Sequence, residues 1–146
     1  MYKLILRVFI NFFQKIINFD NLSYKYPVSV KGLIIENDKI LLLQNERNEW
    51  DLPGGKIFED EDIHSALVRE VFEETNLNVK IINFVDIKNI KINEVQVIVI
   101  FFILKVKDSN PIKTSFEHTN YNFLDFKAVN KSNINKDFKK VIKKII

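Results

Sequence analysis

The segment from Gly54 to Leu77, GGKIFEDEDIHSALVREVFEETNL, constrains this chain more than any other. Pro53, Gly54 and Gly55 break the backbone, because proline fixes φ and removes a donor while the two glycines reach conformations closed to other residues. Beyond the break the apolar spacing turns helical and predicts a helix from about Asp62 to Thr75. On such a helix Glu70, Glu73 and Glu74 fall on one face, since positions three and four apart are neighbours. Three carboxylates that close repel one another, and a divalent cation relieves the repulsion. Hard oxygen donors, in a chain with Cys 0 and His 2, point to Mg²⁺ or Mn²⁺. Leu67, Val68, Val71 and Phe72 lie on the adjoining side, which anchors the acidic face beside a core as a preorganised metal site requires.

The loop before this helix has its own logic. Gly54 and Gly55 let main-chain groups approach a ligand or metal where a side chain would stand in the way. Glu61 sits near the helix start, where the macrodipole favours a carboxylate. Arg69 lies about two turns further on and is expected to fold back onto Glu61, tying loop to helix in a structural role.

The remainder of the chain is organised around this segment. At 146 residues, 47% hydrophobic and 28% charged, it suits one domain with a genuine core. A net charge of +3 is too slight to indicate strong nucleic-acid binding. The absence of cysteine excludes a disulfide framework, a thiolate zinc site and a cysteine nucleophile, and a reducing, cytoplasmic compartment is expected. Val28 to Ile35 and Ile40 to Leu43 read as a hairpin turning at Asn37 and Asp38, which tolerate positive φ. Val79 to Ile87, Val95 to Val106 and Tyr121 to Phe126 read as strands. Phe138, Val141, Ile142, Ile145 and Ile146 mark a closing amphipathic helix. The run Val95 to Val106 is broken by Gln96 and Lys105 and reads as core, not as a membrane span.

At the start, Leu4, Val8, Phe12 and Ile16 form one helical ladder and Ile5, Phe9, Phe13 and Ile17 its neighbour, with Lys3, Arg7, Gln14 and Lys15 on much of the opposite side. Arg7 and the lack of a small-residue cleavage site argue against a targeting signal. This amphipathic helix is expected to pack on the domain, to bury itself in a homodimer, or to lie weakly on an anionic membrane through residues 1–19. The boundary falls near Tyr26, giving a helical extension over 1–26 and the main domain over 27–146.

In these residues the chain resembles the Nudix, or MutT-like, hydrolase family. The signature is a glycine, five residues, a glutamate, seven residues, then Arg-Glu-aliphatic-any-Glu-Glu-any-Gly-aliphatic. Here Gly55 precedes Glu61 by that spacing, and Arg69, Glu70, Val71, Phe72, Glu73, Glu74, Thr75, Asn76 and Leu77 follow. Asn76 stands in place of the final glycine, and because asparagine tolerates the left-handed conformation that ends a helix, the turn is expected to survive. Trp50-Asp51-Leu52-Pro53-Gly54-Gly55 resembles the family's approach to the box, and Phe116-Glu117-His118 resembles a Glu-His segment that many members carry after it.

The resemblance implies an α/β/α sandwich around a mixed sheet, here with an added N-terminal amphipathic helix. It implies divalent-metal-dependent hydrolysis of a nucleoside diphosphate linked to another group. Glu70, Glu73 and Glu74 would be metal ligands, with Glu70 a base, the Gly54 carbonyl a further ligand, and Glu117 either completing the metal shell or acting as base. Gly55, Glu61 and Arg69 would be structural. Arg47 and Lys56 are candidates to meet phosphate oxygens, and Trp50 and Phe58 to stack on a base, with surface charge and rim packing as the competing readings. His64, on the first helical turn, is expected to face solvent. The stretch beyond the box lacks the proline of many ADP-ribose members and the tyrosine of many dinucleoside polyphosphate members, which leaves nucleoside triphosphates as the leading substrates. A catalytically silent nucleotide-binding module, or a hydrolase of another derivative such as a nucleotide sugar, is the alternative.

Overall fold

The computed structural model describes residues 26–108 and 110–145, so the amphipathic stretch 1–19 and nearly all of the 1–26 extension lie outside the described residues. Strand β1 (Val28–Glu36) turns into β2 (Lys39–Gln44) through Asn37 and Asp38, with φ of 51° and 59°, the backbone that a tight hairpin demands. The two strands pair only at Ile35–Ile40 and Glu36–Lys39 and then part. From there β1 runs parallel to β5 (Val95–Val106), in register from Val28–Ile98 to Ile34–Leu104. Strand β2 pairs antiparallel with β3 (Trp50–Asp51) and β6 (Asn120–Leu124) instead. On the other flank β4 (Val79–Ile92) forms a long hairpin with β5, turning at Asn93 and Glu94. Among the described residues the result is a six-stranded mixed sheet.

The parting of β1 and β2 leaves β1's backbone groups unpaired along one side, and residues 53–57 fill the gap. Gly32 N–H donates to the Pro53 carbonyl (2.8 Å), Val30 N–H to Gly55 (2.9 Å), and Ile57 N–H back to Val28 (3.3 Å). Gly54 makes this close approach at φ +126°, where a Cβ would lie 2.2 Å from the Val30 carbonyl oxygen. The Pro-Gly-Gly break is therefore a strand substitute laid against β1.

Helix α1 (Ile63–Thr75) covers one sheet face, burying Ala66, Leu67 and Val71 against Val30, Ile34, Leu41 and Leu104. Full burial of Leu67 and Val71 contributes about 2 kcal/mol each. Asp62 caps its start by accepting the amides of His64 and Ser65, both at 3.0 Å, worth about 1 kcal/mol. Asn76 ends it in the left-handed conformation (φ 62°, ψ 16°), its N–H donating to the Phe72 carbonyl at 2.8 Å. Helices α2 (Phe126–Lys131) and α3 (Lys136–Ile142) cover the other face, where Val129, Phe138, Val141 and Ile142 pack on Leu33, Leu42 and Phe101. Alternation along β1, with Val30 and Ile34 toward α1 and Leu33 away, divides the core into these two halves. The three layers are the expected α/β/α sandwich. Among the described residues no helix is long and apolar enough to cross a membrane.

Three expectations are adjusted. Strand β4 runs on to Ile92, since its partner β5 continues to the Asn93–Glu94 turn. Strand β6 ends at Leu124 because Asp125 accepts the Ala128 amide at 2.7 Å and caps α2, so Phe126 opens a helix. Phe72 is 45% exposed, outside the anchoring face that Leu67 and Val71 form.

Candidate active site

The acidic face of α1 looks onto the 53–57 segment, and its carboxylates occupy two settings. Glu74 is buried at 8% exposure, and its Oε2 accepts the Gly54 N–H at 2.7 Å. Burial pushes its carboxyl up to about 7 against the pull of Lys31 and the Gly54 amide, with Asp51 and Glu70 adding to the rise. Lys31, on β1, is buried too, and its Nζ donates to Asp51 Oδ2 (2.9 Å), the Leu52 carbonyl (2.9 Å) and the Gly54 carbonyl (2.6 Å). Burial alone lowers an ammonium's pKa, but Asp51, Glu74 and Glu70 together hold that of Lys31 above its ordinary value. His118 stands across Glu74, Nε2 to Oε1 3.8 Å, and its Nδ1 lies 3.3 Å from Ser115 Oγ. Burial, then Lys31, keeps His118 below its usual pKa and so favours the neutral ring.

The outer setting is organised by Arg69. Its Nε and Nη2 grip both oxygens of Glu61 at 2.7 and 2.8 Å, the bidentate pair that the loop-to-helix spacing predicts. Nη1 reaches Glu70 Oε1 at 2.8 Å and Glu73 Oε2 at 3.3 Å, and Nη2 donates to the Lys56 carbonyl at 3.2 Å. The guanidinium lies 4.1 Å from the centroid of the Phe58 ring, so that aromatic supports the clamp. Bonding to Glu61 raises the Arg69 pKa, and the same bond holds the Glu61 carboxyl below its ordinary range. Gly55 is required beside Glu70, since a Cβ there would meet Glu70 Oε2 at 2.4 Å.

The structure thus gathers Gly54, Gly55, Glu61, Arg69, Glu70 and Glu74, with Glu73 on the outer, solvent-facing edge. Glu117 is exposed in a shallow hollow with Asn45, Glu46, Arg47 and Phe116, and its neighbour His118 is the residue that faces Glu74. Arg47 is ion-paired with Glu49 at 2.9 Å. The Lys56 side chain is exposed. His64, although exposed, sets its ring edge-on to Phe102 at 5.4 Å. Asp51 belongs to the Trp50–Gly55 approach without a role of its own there, and Lys31 is a site neighbour that no motif in the sequence marks. The signal available for Lys31 was a lone lysine inside the apolar run of β1.

Among the described residues no three histidine, aspartate or glutamate side chains form a ready metal cage. Arg69 and the Gly54 amide hold the carboxylates instead. The donor chemistry nonetheless fits a hard divalent cation. Glu74 is a buried carboxylate whose desolvation Lys31 offsets only in part, the Gly54 carbonyl points at a cation, and Gly55 leaves the space that the Glu70 carboxylate fills. Glu70, Glu73, Glu74 and the Gly54 carbonyl are the groups that would hold it.

Beside this cluster, on the Asp51 side, lies a cleft of about 260 Å³. Trp50 and Phe138 supply aromatic walls, Asn45, Asn93, Asn133 and Asn135 amide groups, and its charges are mixed, Arg47 and Lys91 facing Glu49 and Asp51.

A family model of the NUDIX domain matches residues 25–145, nearly the whole chain. The chain belongs to the Nudix family. It is 33% identical over 85 residues to an 8-oxo-dGTP diphosphatase of Buchnera aphidicola, covering 55% of this chain and 64% of that protein. It is 40% identical over 63 residues to an ADP-ribose pyrophosphatase of Methanocaldococcus jannaschii, covering 40% and 37% of the two. In both comparisons it spans less than two thirds of the relative's length. The MutT protein of Methanosarcina mazei is a structural neighbour at TM-score 0.74 and 28% identity, with 84% of this Nudix chain and 94% of that one covered.

Proposed function

We propose that this Nudix protein is a divalent-metal-dependent pyrophosphohydrolase that cleaves a nucleoside diphosphate linked to another group, with nucleoside triphosphates as its main substrate class. One observation carries the reading: Glu74, the Gly54 peptide and Lys31 are hydrogen-bonded into one network, with Glu70 packed beside Gly55 next to it, and that network adjoins, through Asp51, a cleft suited to a nucleotide. Trp50 offers a face for a nucleobase, the buried Phe138 closes the floor of the cleft, and the asparagine amides offer donors and acceptors for the base edge. Lys56 is an exposed cation for phosphate oxygens, and Arg47 and Lys91 would have to exchange their carboxylate partners, Glu49 and Glu94, to join it. The diphosphatase and pyrophosphatase names of the relatives support the reaction class, and the first of the two supports the triphosphate.

Glu70, Glu73, Glu74 and the Gly54 carbonyl would hold a divalent cation, which when bound would neutralise phosphate charge and lower the pKa of a water molecule. The protein's share is positional. Arg69 fixes Glu61 and thereby the loop, the Gly54 amide orients Glu74, and Glu70, or Glu117 in its place, accepts the proton of the attacking water. The second reading, a nucleotide-binding module without turnover, draws support from the hold of Arg69 on Glu70 and Glu73. Phosphate and pyrophosphate release from nucleoside triphosphates, ADP-ribose, nucleotide sugars and dinucleoside polyphosphates, with Mg²⁺ or Mn²⁺ and with EDTA, tests both. Metal-dependent turnover of triphosphates is expected. Turnover of another group alone replaces the substrate class, and silence from folded protein replaces the enzyme with the binding module.

A further inference from the structure

We propose that Lys31 is a resident cation of the acidic site, a positioning residue whose ammonium compensates the buried anions before a metal arrives and competes with that metal for the Gly54 carbonyl. The inference rests on the metal-binding reading given above and deepens it.

Lys31 sits in the middle of a core strand, next to Val30 and two residues from Leu33, both fully buried. An ammonium there is unfavourable unless every proton is matched. All three are matched by oxygens: the Asp51 carboxylate, the Leu52 carbonyl and the Gly54 carbonyl. Three bonds exhaust the donors of a lysine and remove its freedom to rotate, so the charge is held at one point.

The Gly54 peptide is gripped on both sides. Glu74 accepts its N–H at 2.7 Å, and the carbonyl of the same residue accepts from Lys31 at 2.6 Å. The carbonyl that would ligate a metal is therefore already aimed, and already shared with a positive charge. Asp51, Glu74 and Glu70 all act electrostatically on that charge. A fixed cation among the anions that would hold Mg²⁺ stabilises the empty site and opposes the incoming ion. A lysine that merely filled space in β1 would do neither.

Mn²⁺ binding to the full chain, followed by calorimetry and by thermal unfolding with and without the ion, separates the two cases. Lys31→Met is expected to bind Mn²⁺ about tenfold more tightly than the native chain, the size of a single charge removed from a partly screened site. It is also expected to lose more thermal stability in EDTA than in saturating Mn²⁺. Lys31→Arg keeps the charge and is expected to stay within about threefold of the native affinity. Unchanged or weaker Mn²⁺ binding by Lys31→Met overturns the role of Lys31 while leaving the metal site standing, whereas a native chain that binds no Mn²⁺ overturns the metal site itself. Should Lys31→Met not fold, ε-¹⁵N-lysine NMR of the native chain decides. A slowly exchanging Lys31 ammonium signal that moves on titration with Mg²⁺ supports the proposal, and one indifferent to Mg²⁺ under binding conditions overturns it.

Discussion

The two ends of the carboxylate face on α1 are neutralised by different means. At the inner end Glu74 is shut away with Lys31 and the Gly54 peptide. At the outer end Glu70 and Glu73 lean on Arg69, whose firmest grip is on Glu61. The Glu73 contact, at 3.3 Å with a side chain 57% exposed, is worth only a few tenths of a kcal/mol. Breaking a buried contact at the inner end costs far more, since it strands a charge away from water. The inner end is thus set before any ligand arrives. The outer carboxylates can turn from Arg69 to a metal while Glu61 keeps the guanidinium in place.

Removing the inner carboxylate's charge is the largest test of this division. Glu74→Gln preserves shape and can still accept the Gly54 amide, and its Mg²⁺-dependent turnover is expected to fall about 10³-fold, the upper range for one electrostatic group. Circular dichroism should remain native. Native activity would remove Glu74 from the machinery.

The next test reads the burial of Glu74 through pH. Its folded pKa of about 7 lies above the ordinary value of 4.5, so between these the folded state binds more protons than the unfolded one. In EDTA, where no metal compensates the carboxylate, its contribution is fully present below pH 4.5 and is lost as pH rises to about 7, by up to about 3 kcal/mol. Urea unfolding of the native chain at pH 5 to 8 should show that decline, and Glu74→Gln should flatten it. An equal slope in both proteins would show that Glu74 is not desolvated.

Gly55→Ala probes the outer end. The new methyl meets the Glu70 carboxylate at 2.4 Å, and that carboxylate can swing aside. Turnover is expected to drop about thirtyfold while stability changes by less than about 1 kcal/mol, because the clash is with the far end of a flexible side chain. Gly54→Ala is the control. Its methyl meets the Val30 carbonyl oxygen at 2.2 Å and cannot escape, so that variant should unfold well below the native midpoint. Equal loss of stability in both would refute the contrast between a movable and a fixed neighbour.

What the sequence made legible divides along the same line. The outer end was readable because its contacts are local: Glu61 and Arg69 are eight residues apart, and a helical period with one glycine break places them together. Helix α1 and the left-handed Asn76 follow from the same local pattern. Lys31 was not readable. In β1 a lone lysine has the appearance of a solvent-facing strand position, and what buries it is a segment more than twenty residues on, which lies along β1 because β2 departs after two pairs. The cleft was hidden for the same reason, since Trp50, Asn93 and Phe138 meet only after the sheet and α3 have assembled. Helix α2 is masked in the sequence because Phe126 continues the apolar run of β6, and the aspartate that caps the helix is a weak signal by itself.

The smallest effect is expected at Asn76, where the helix carrying both ends stops. Asparagine there adopts φ 62°, and its side chain donates to the Pro111 carbonyl at 3.3 Å. Glycine takes that backbone more easily but forfeits the exposed bond, so Asn76→Gly should change stability by less than about 0.5 kcal/mol, whereas Asn76→Ala should cost about 1 kcal/mol. Activity is the sharper reading. Glu74 lies two residues before the turn, yet it is tethered independently through the Gly54 amide, and Thr75 Oγ1 closes the last turn on the Val71 carbonyl at 2.6 Å. If those bonds fix the inner end, turnover in both variants stays within about twofold of native at temperatures where they remain folded. A tenfold loss in Asn76→Ala alone would mean that the left-handed stop, and not the buried hydrogen bonds, sets the position of Glu74.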